Sequence, residues 1–156
     1  EDDTLTVTRL TDFRTVASLP VGIGPEHLDV TPDGEFVYVA NFDGGTVSVV
    51  STKNLRETKR LAGFRHPHNI TFSKMGDKAY VANLSLNRVH VVDTLEQTVT
   101  HSFNAASPIR LASLGGEVVG RGIVNVTITP NGQFGYAAHG DAGEVVVIDI
   151  VESRVV

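Results

Sequence analysis

Phe36-Val-Tyr-Val-Ala-Asn41 returns as Lys78-Ala-Tyr-Val-Ala-Asn83 and again as Phe134-Gly-Tyr-Ala-Ala-His139. A turn precedes each copy: Thr31-Pro-Asp-Gly34, Ser73-Lys-Met-Gly76 and Thr129-Pro-Asn-Gly132. An alternating apolar run follows each: Thr46-Val-Ser-Val-Val50, Arg88-Val-His-Val-Val92 and Glu144-Val-Val-Val-Ile148. A short β unit of this kind cannot bury both of its faces alone, so copies must stack on one another.

Thr31 lies 42 positions before Ser73, and Ser73 lies 56 before Thr129, which is the same pitch lengthened by 14. Upstream, Thr4-Leu-Thr-Val7 precedes Thr46-Val-Ser-Val49 by 42, and Leu19 precedes Leu61 by 42. Four short strands per unit at such a pitch predict a β-propeller. In the first full unit the strands are expected at about 27–31, 36–41, 46–51 and 56–61, by alternation and turn chemistry. No stretch keeps a helical period, so the fold class is all-β. The blades are then 22–63, 64–105 and 106–156, preceded at 1–21 by the third and outer strands of a blade whose inner half is missing. Three and a half blades fall short of the four or more of closed rings. This predicts a piece of a longer propeller, or assembly with identical copies, through uncovered blade faces.

The phrases Val30-Thr-Pro-Asp-Gly34, Val37-Tyr-Val-Ala-Asn41 and Thr46-Val-Ser-Val-Val50, with Tyr80-Val-Ala-Asn83 and Val89-His-Val-Val-Asp-Thr94, resemble the YVTN-type β-propeller repeat. The resemblance covers the chain apart from the insertion near 109–122. It implies an exported protein, periplasmic or at the cell surface, of the kind found in surface-layer proteins, haem d1 domains, nitrous-oxide-reductase-type copper enzymes and lactonases.

Composition sets further bounds. The net charge of −5 lacks the basic stripe that a nucleic-acid surface needs. The absence of cysteine excludes disulfides, thiolate metal sites and Cys nucleophiles. No apolar run reaches the length of a membrane-spanning helix. The chain starts at Glu1 with no signal peptide, which reads as a processed or excised product.

Most repeated residues read as structure. Tyr38, Tyr80 and Tyr136 are expected to pack between blades with their hydroxyls at a polar edge. Leu28, Val30, Ile70, Phe72, Val126 and Ile128 are expected in the core. Asn41 and Asn83 should bond turn backbone, and His90 and His101 should lie on the surface. The departures from the repeat are the candidate site. Phe64-Arg-His-Pro-His68 leads into the second blade where the first has Gly22-Ile-Gly-Pro-Glu26. His66 and His68 flank a stiffening proline, His27 stands one register along, and His139 replaces the strand-ending Asn. Neutral imidazoles at a channel mouth are potential ligands for copper, zinc or iron, and Pro67-His68 resembles the ligand loop of the copper propellers. Arg65, Arg110 and Arg121 near the same rim are candidate clamps for a haem carboxylate or another anion.

The sequence carries no nucleophile elbow and no phosphate-binding glycine loop. The reading is therefore a non-catalytic binding and assembly scaffold without a cofactor. The alternative is part of a periplasmic redox propeller that holds copper or a haem-type group through the histidines. Lactonase-type hydrolysis ranks last.

Overall fold

A computed structural model describes residues 2–105, 122–140 and 143–156. Each repeat turn is built by its own side chains. The Thr31 hydroxyl donates to the Asp33 carboxylate (2.6 Å) and accepts the Phe36 N–H (3.0 Å), while Gly34 supplies the positive φ of 76°. Thr129, Asn131 and Gly132 repeat the arrangement in the third blade. These turns set the register that the strands then follow.

The described strands form one two-stranded and three four-stranded antiparallel sheets. Strands β1 (Thr4–Thr8) and β2 (Thr15–Pro20) make the half-blade. The first full blade comprises β3 (Pro25–Val30), β4 (Phe36–Asn41), β5 (Thr46–Ser51) and β6 (Arg56–Leu61). The second comprises β7 (Pro67–Phe72), β8 (Lys78–Asn83), β9 (Arg88–Asp93) and β10 (Thr98–Asn104). The third comprises β11 (Ile123–Ile128), β12 (Phe134–His139), β13 (Glu144–Asp149) and a short β14 (Arg154–Val155). Strand order within each blade is sequential from inside to outside, as expected of an all-β propeller.

The core lies in the seams between blades. Ile70 and Phe72 of β7 pack on Tyr38, Ala40, Val47 and Val49 of the preceding blade. The Tyr38 and Phe72 rings meet edge to face, with centroids 5.2 Å apart. Val126 and Ile128 repeat this packing against Tyr80, Ala82, Val89 and Val91. Burial pushes the Tyr38 and Tyr80 phenols up to about 12. The Tyr38 hydroxyl is buried and, among the described residues, has no hydrogen-bonding partner rather than the polar edge expected of it.

Two sequence expectations are corrected here. Leu28 and Val30 are not core: they stand 45% and 44% exposed, because among the described residues the half-blade before them has no inner strands to cover them. His90 is not on the surface. It is buried, like its counterpart Ser48, because the third strand of a blade is packed on both faces. The His90 ring lies against Phe64, and burial and then Arg88 lower its pKa. His101 is exposed as expected.

Candidate functional site on the rim of the second blade

The loop before β7 carries the largest departure from the repeat. His66 has a positive φ of 56°, in a register where the first blade has Gly24 at 65°. A Cβ at Gly24 would meet the Asp43 carboxylate at 2.6 Å. The second blade resolves this conflict by carrying Ser85 at the register of Asp43, which leaves room for an imidazole. His66 Nδ1 then pairs with Ser85 Oγ at 2.5 Å, and the His66 ring stacks on Phe42 (centroids 4.6 Å). The left-handed conformation of a non-glycine residue costs about 1 kcal/mol, and the ring stack and the hydroxyl contact offset it.

His68 faces the neighbouring blade. Its Nδ1 donates to the Val124 carbonyl at 2.8 Å, and its Nε2 lies 3.6 Å from the Glu26 carboxylate. With Phe42, Leu84 and Val124 these two residues line an open hollow of about 290 Å³. His27 sits deeper along the inner strands. Its Nδ1 faces the Ile70 N–H (3.3 Å) and its Nε2 faces the Asn69 amide nitrogen (3.2 Å). The Asn69 carboxamide oxygen in turn accepts the Val126 N–H at 3.0 Å, which fixes the orientation of that amide. Two N–H donors therefore face His27, and its pKa is lowered by burial, with Asp29 opposing and His68 adding to the effect.

His139 is separate from this group. It is buried at the end of β12, and its Nε2 pairs with the Ala105 carbonyl at 2.8 Å. It thus anchors backbone as Asn41 does, whose oxygen takes the Gly22 N–H at 3.1 Å. Asn83 acts likewise: its carboxamide, suitably oriented, accepts the Arg65 N–H at 2.9 Å and donates to the Arg65 carbonyl. The Arg65 side chain is exposed, and Arg110 and Arg121 lie outside the described residues. The structure thus places His66, His68 and Arg65 on one rim, with His27 behind them and His139 apart. Among the described residues, no three His, Asp or Glu side chains converge as a metal site would need. Sequence reasoning did not single out Phe42 and Ser85. The replacement of Asp43's counterpart by Ser85 was visible in the repeat, but its meaning depends on the contact with His66.

No family model and no curated protein sequence matches the chain. Its structure does have a counterpart. The chain is similar to a chain of Kuenenia stuttgartiensis hydrazine synthase. The TM-score is 0.86 at 29% identity, over 99% of this chain. That match spans only 42% of the hydrazine synthase chain. The likeness supports the propeller fold, whereas the YVTN resemblance rests on the repeated phrases alone. Among the described residues, no helix is long and apolar enough to cross a membrane.

Proposed function

We propose that this chain is a propeller segment of an exported, multi-part assembly, in which it is a rigid binding and assembly scaffold. A contrast within one repeat carries this reading. Tyr38 and Tyr80 are 0% and 2% exposed, but Tyr136 is 43% exposed at the same position of the third blade. At the opposite end Leu28 is 45% exposed, while its counterparts Ile70 and Val126 are each 1% exposed. The seams are made from these two positions, so each open end presents the half of a seam that the other end lacks. Apolar faces of this kind are association surfaces, and further blades, from a longer chain or from identical copies, would cover them. The match to less than half of a hydrazine synthase chain agrees with a segment that works alongside other blades, inside an enzyme rather than a surface layer. An extracytoplasmic location belongs to the same reading.

Native mass spectrometry tests it. Association of the chain with itself or with more propeller polypeptide is the expected result, and a stable monomer without accessible apolar ends would overturn it.

A second reading makes the segment part of a redox propeller with copper or a haem-type group at the rim. It draws on the name of the hydrazine synthase neighbour and on the shared rim of His66 and His68. The donors fit poorly, since His27, His66, His68 and His139 are engaged separately. Copper titration followed by visible absorption separates the readings: a stoichiometric band lost in His66→Ala and His68→Ala supports the second.

A further inference from the structure

Glu26, His68 and Val124 stand at one position of the repeat, the second residue of each inner strand. Phe42 and Leu84 stand at another, just past the second strands. Strand pairing is the same at all three places: Pro25 opposes Asn41, Pro67 opposes Asn83 and Ile123 opposes His139. The backbone repeats, yet the side chains are a carboxylate, an imidazole and an aliphatic group, so the fold does not dictate them. These five residues line the hollow of about 290 Å³ on the rim of the full blades.

Two of them oppose each other. Nδ1 of His68 donates to the Val124 carbonyl at 2.8 Å, so in the neutral ring Nε2 carries a lone pair. That lone pair and the Glu26 carboxylate are two acceptors 3.6 Å apart, and among the described residues no donor bridges them. A bound donor would relieve this pairing. The surroundings favour one that is positively charged. The described lining holds no lysine or arginine, and Glu26 also lines an adjoining hollow together with Asp3 and Asp43. Beside the two acceptors the Phe42 and His68 rings meet at 81°, with centroids 6.1 Å apart, and the His66 stack steadies Phe42.

We propose that this hollow binds a primary ammonium group on a short alkyl stem, its nitrogen between the Glu26 carboxylate and Nε2 of His68 and its stem against Phe42, Leu84 and Val124. A nitrogen can lie about 2.8 Å from both acceptors at once, the usual length of a charge-assisted hydrogen bond. The Phe42 ring adds a cation–π or apolar contact according to how the stem lies. A metal ion fits less well, because among the described residues no third His, Asp or Glu joins the pair. The proposal gives a ligand class to the binding part of the reading above and is independent of the open blade faces.

The test titrates the whole chain, labelled with nitrogen-15, with n-butylamine at pH 8 and follows the amide shifts. That pH lies above the ordinary histidine range and well below that of a primary ammonium. Saturable shifts at Glu26, Phe42, His68, Leu84 and Val124 are expected. Glu26→Gln and His68→Phe should each weaken binding by about tenfold or more, since each removes one partner of a charge-assisted bond. His101→Ala, on an exposed outer strand, should leave it unchanged. Two analogues isolate the donor: 1-butanol keeps the stem without the charge, and tetramethylammonium keeps the charge without an N–H. Both should bind about tenfold more weakly or worse.

Tetramethylammonium binding as tightly as n-butylamine, or binding indifferent to Glu26→Gln, would overturn the proposal. Saturation by zinc with no response to the amine would overturn it in favour of a metal. A free amine and a lysine side chain of a partner protein share this chemistry, and Nα-acetyl-lysine methylamide separates them. Binding at least as tight as that of n-butylamine assigns the seat to a partner's lysine, and weaker binding assigns it to a free amine. A monomer in native mass spectra would remove the assembly reading and leave this one standing.

Discussion

Nδ1 of His27 faces the backbone N–H of Ile70 at 3.3 Å, across the seam between the first two full blades. The other ring nitrogen faces the Asn69 amide nitrogen, whose orientation Val126 fixes. A protonated imidazole would oppose a donor at both nitrogens, whereas the neutral ring opposes at most one. Geometry and burial thus act in the same direction on this residue.

Stability should fall as pH drops below the ordinary histidine value near 6.5. His27 and His90 both have lowered folded-state pKa values, chiefly from burial. Below about pH 6.5 the unfolded chain binds protons that the folded chain refuses, so stability rises with pH through that window and levels above it. Urea denaturation from pH 7.5 to pH 5 should show this slope. His27→Asn, which installs the residue used by the second blade, should reduce it. An unchanged slope would mean that His27 does not report the seam.

Asn69→Ala should cost about 1–3 kcal/mol, because it strips a buried acceptor from the Val126 N–H. Asn125 holds the same position in the third blade but is exposed, so Asn125→Ala should change stability by roughly 0.5 kcal/mol or less. Equal effects from the two substitutions would refute the seam bond as the cause.

Much of this fold is legible in the sequence. The strands at 36–41, 46–51 and 56–61 coincide with β4, β5 and β6, because alternation and glycine turns are local signals. What the repeat could not convey was which face of a blade meets a neighbour. Leu28 and Ile70 look alike in sequence and differ in burial because, among the described residues, the half-blade before Leu28 has no inner strands. His90 was misplaced for the opposite reason: a polar residue on a third strand reads as surface, yet neighbours cover both faces of that strand. The rim histidines were found as departures from the repeat, but their partners Ser85 and Phe42 come from other turns and are joined to them only by folding.

Gly22→Ala should destabilise the first blade by about 1–3 kcal/mol, the usual cost of overpacking. A Cβ at Gly22 would lie 2.5 Å from the Asn41 carboxamide. Asn41 cannot readily move, since it is buried and bonds Gly22, Thr46 and Ser48 together. Thermal melting checks this, and Asn41→Gly in the same background should recover little, because the lost hydrogen bonds replace the relieved clash.

A tyrosine inside a seam and its counterpart on an open face should separate stability from association. Tyr80→Ala removes a ring that is 2% exposed and should cost about 3 kcal/mol or more, on the scale of other large aromatic truncations. Tyr136→Ala removes the equivalent ring from an open face, where burial is partial, and should cost about 1 kcal/mol or less in a dilute sample. Its larger effect should appear in association, because this ring is exposed until another blade covers it. Native mass spectra of Tyr136→Ala should shift towards monomer while its urea midpoint stays close to that of the parent chain. A normal assembly distribution with Tyr136 truncated would mean that this face is not the one through which blades are added.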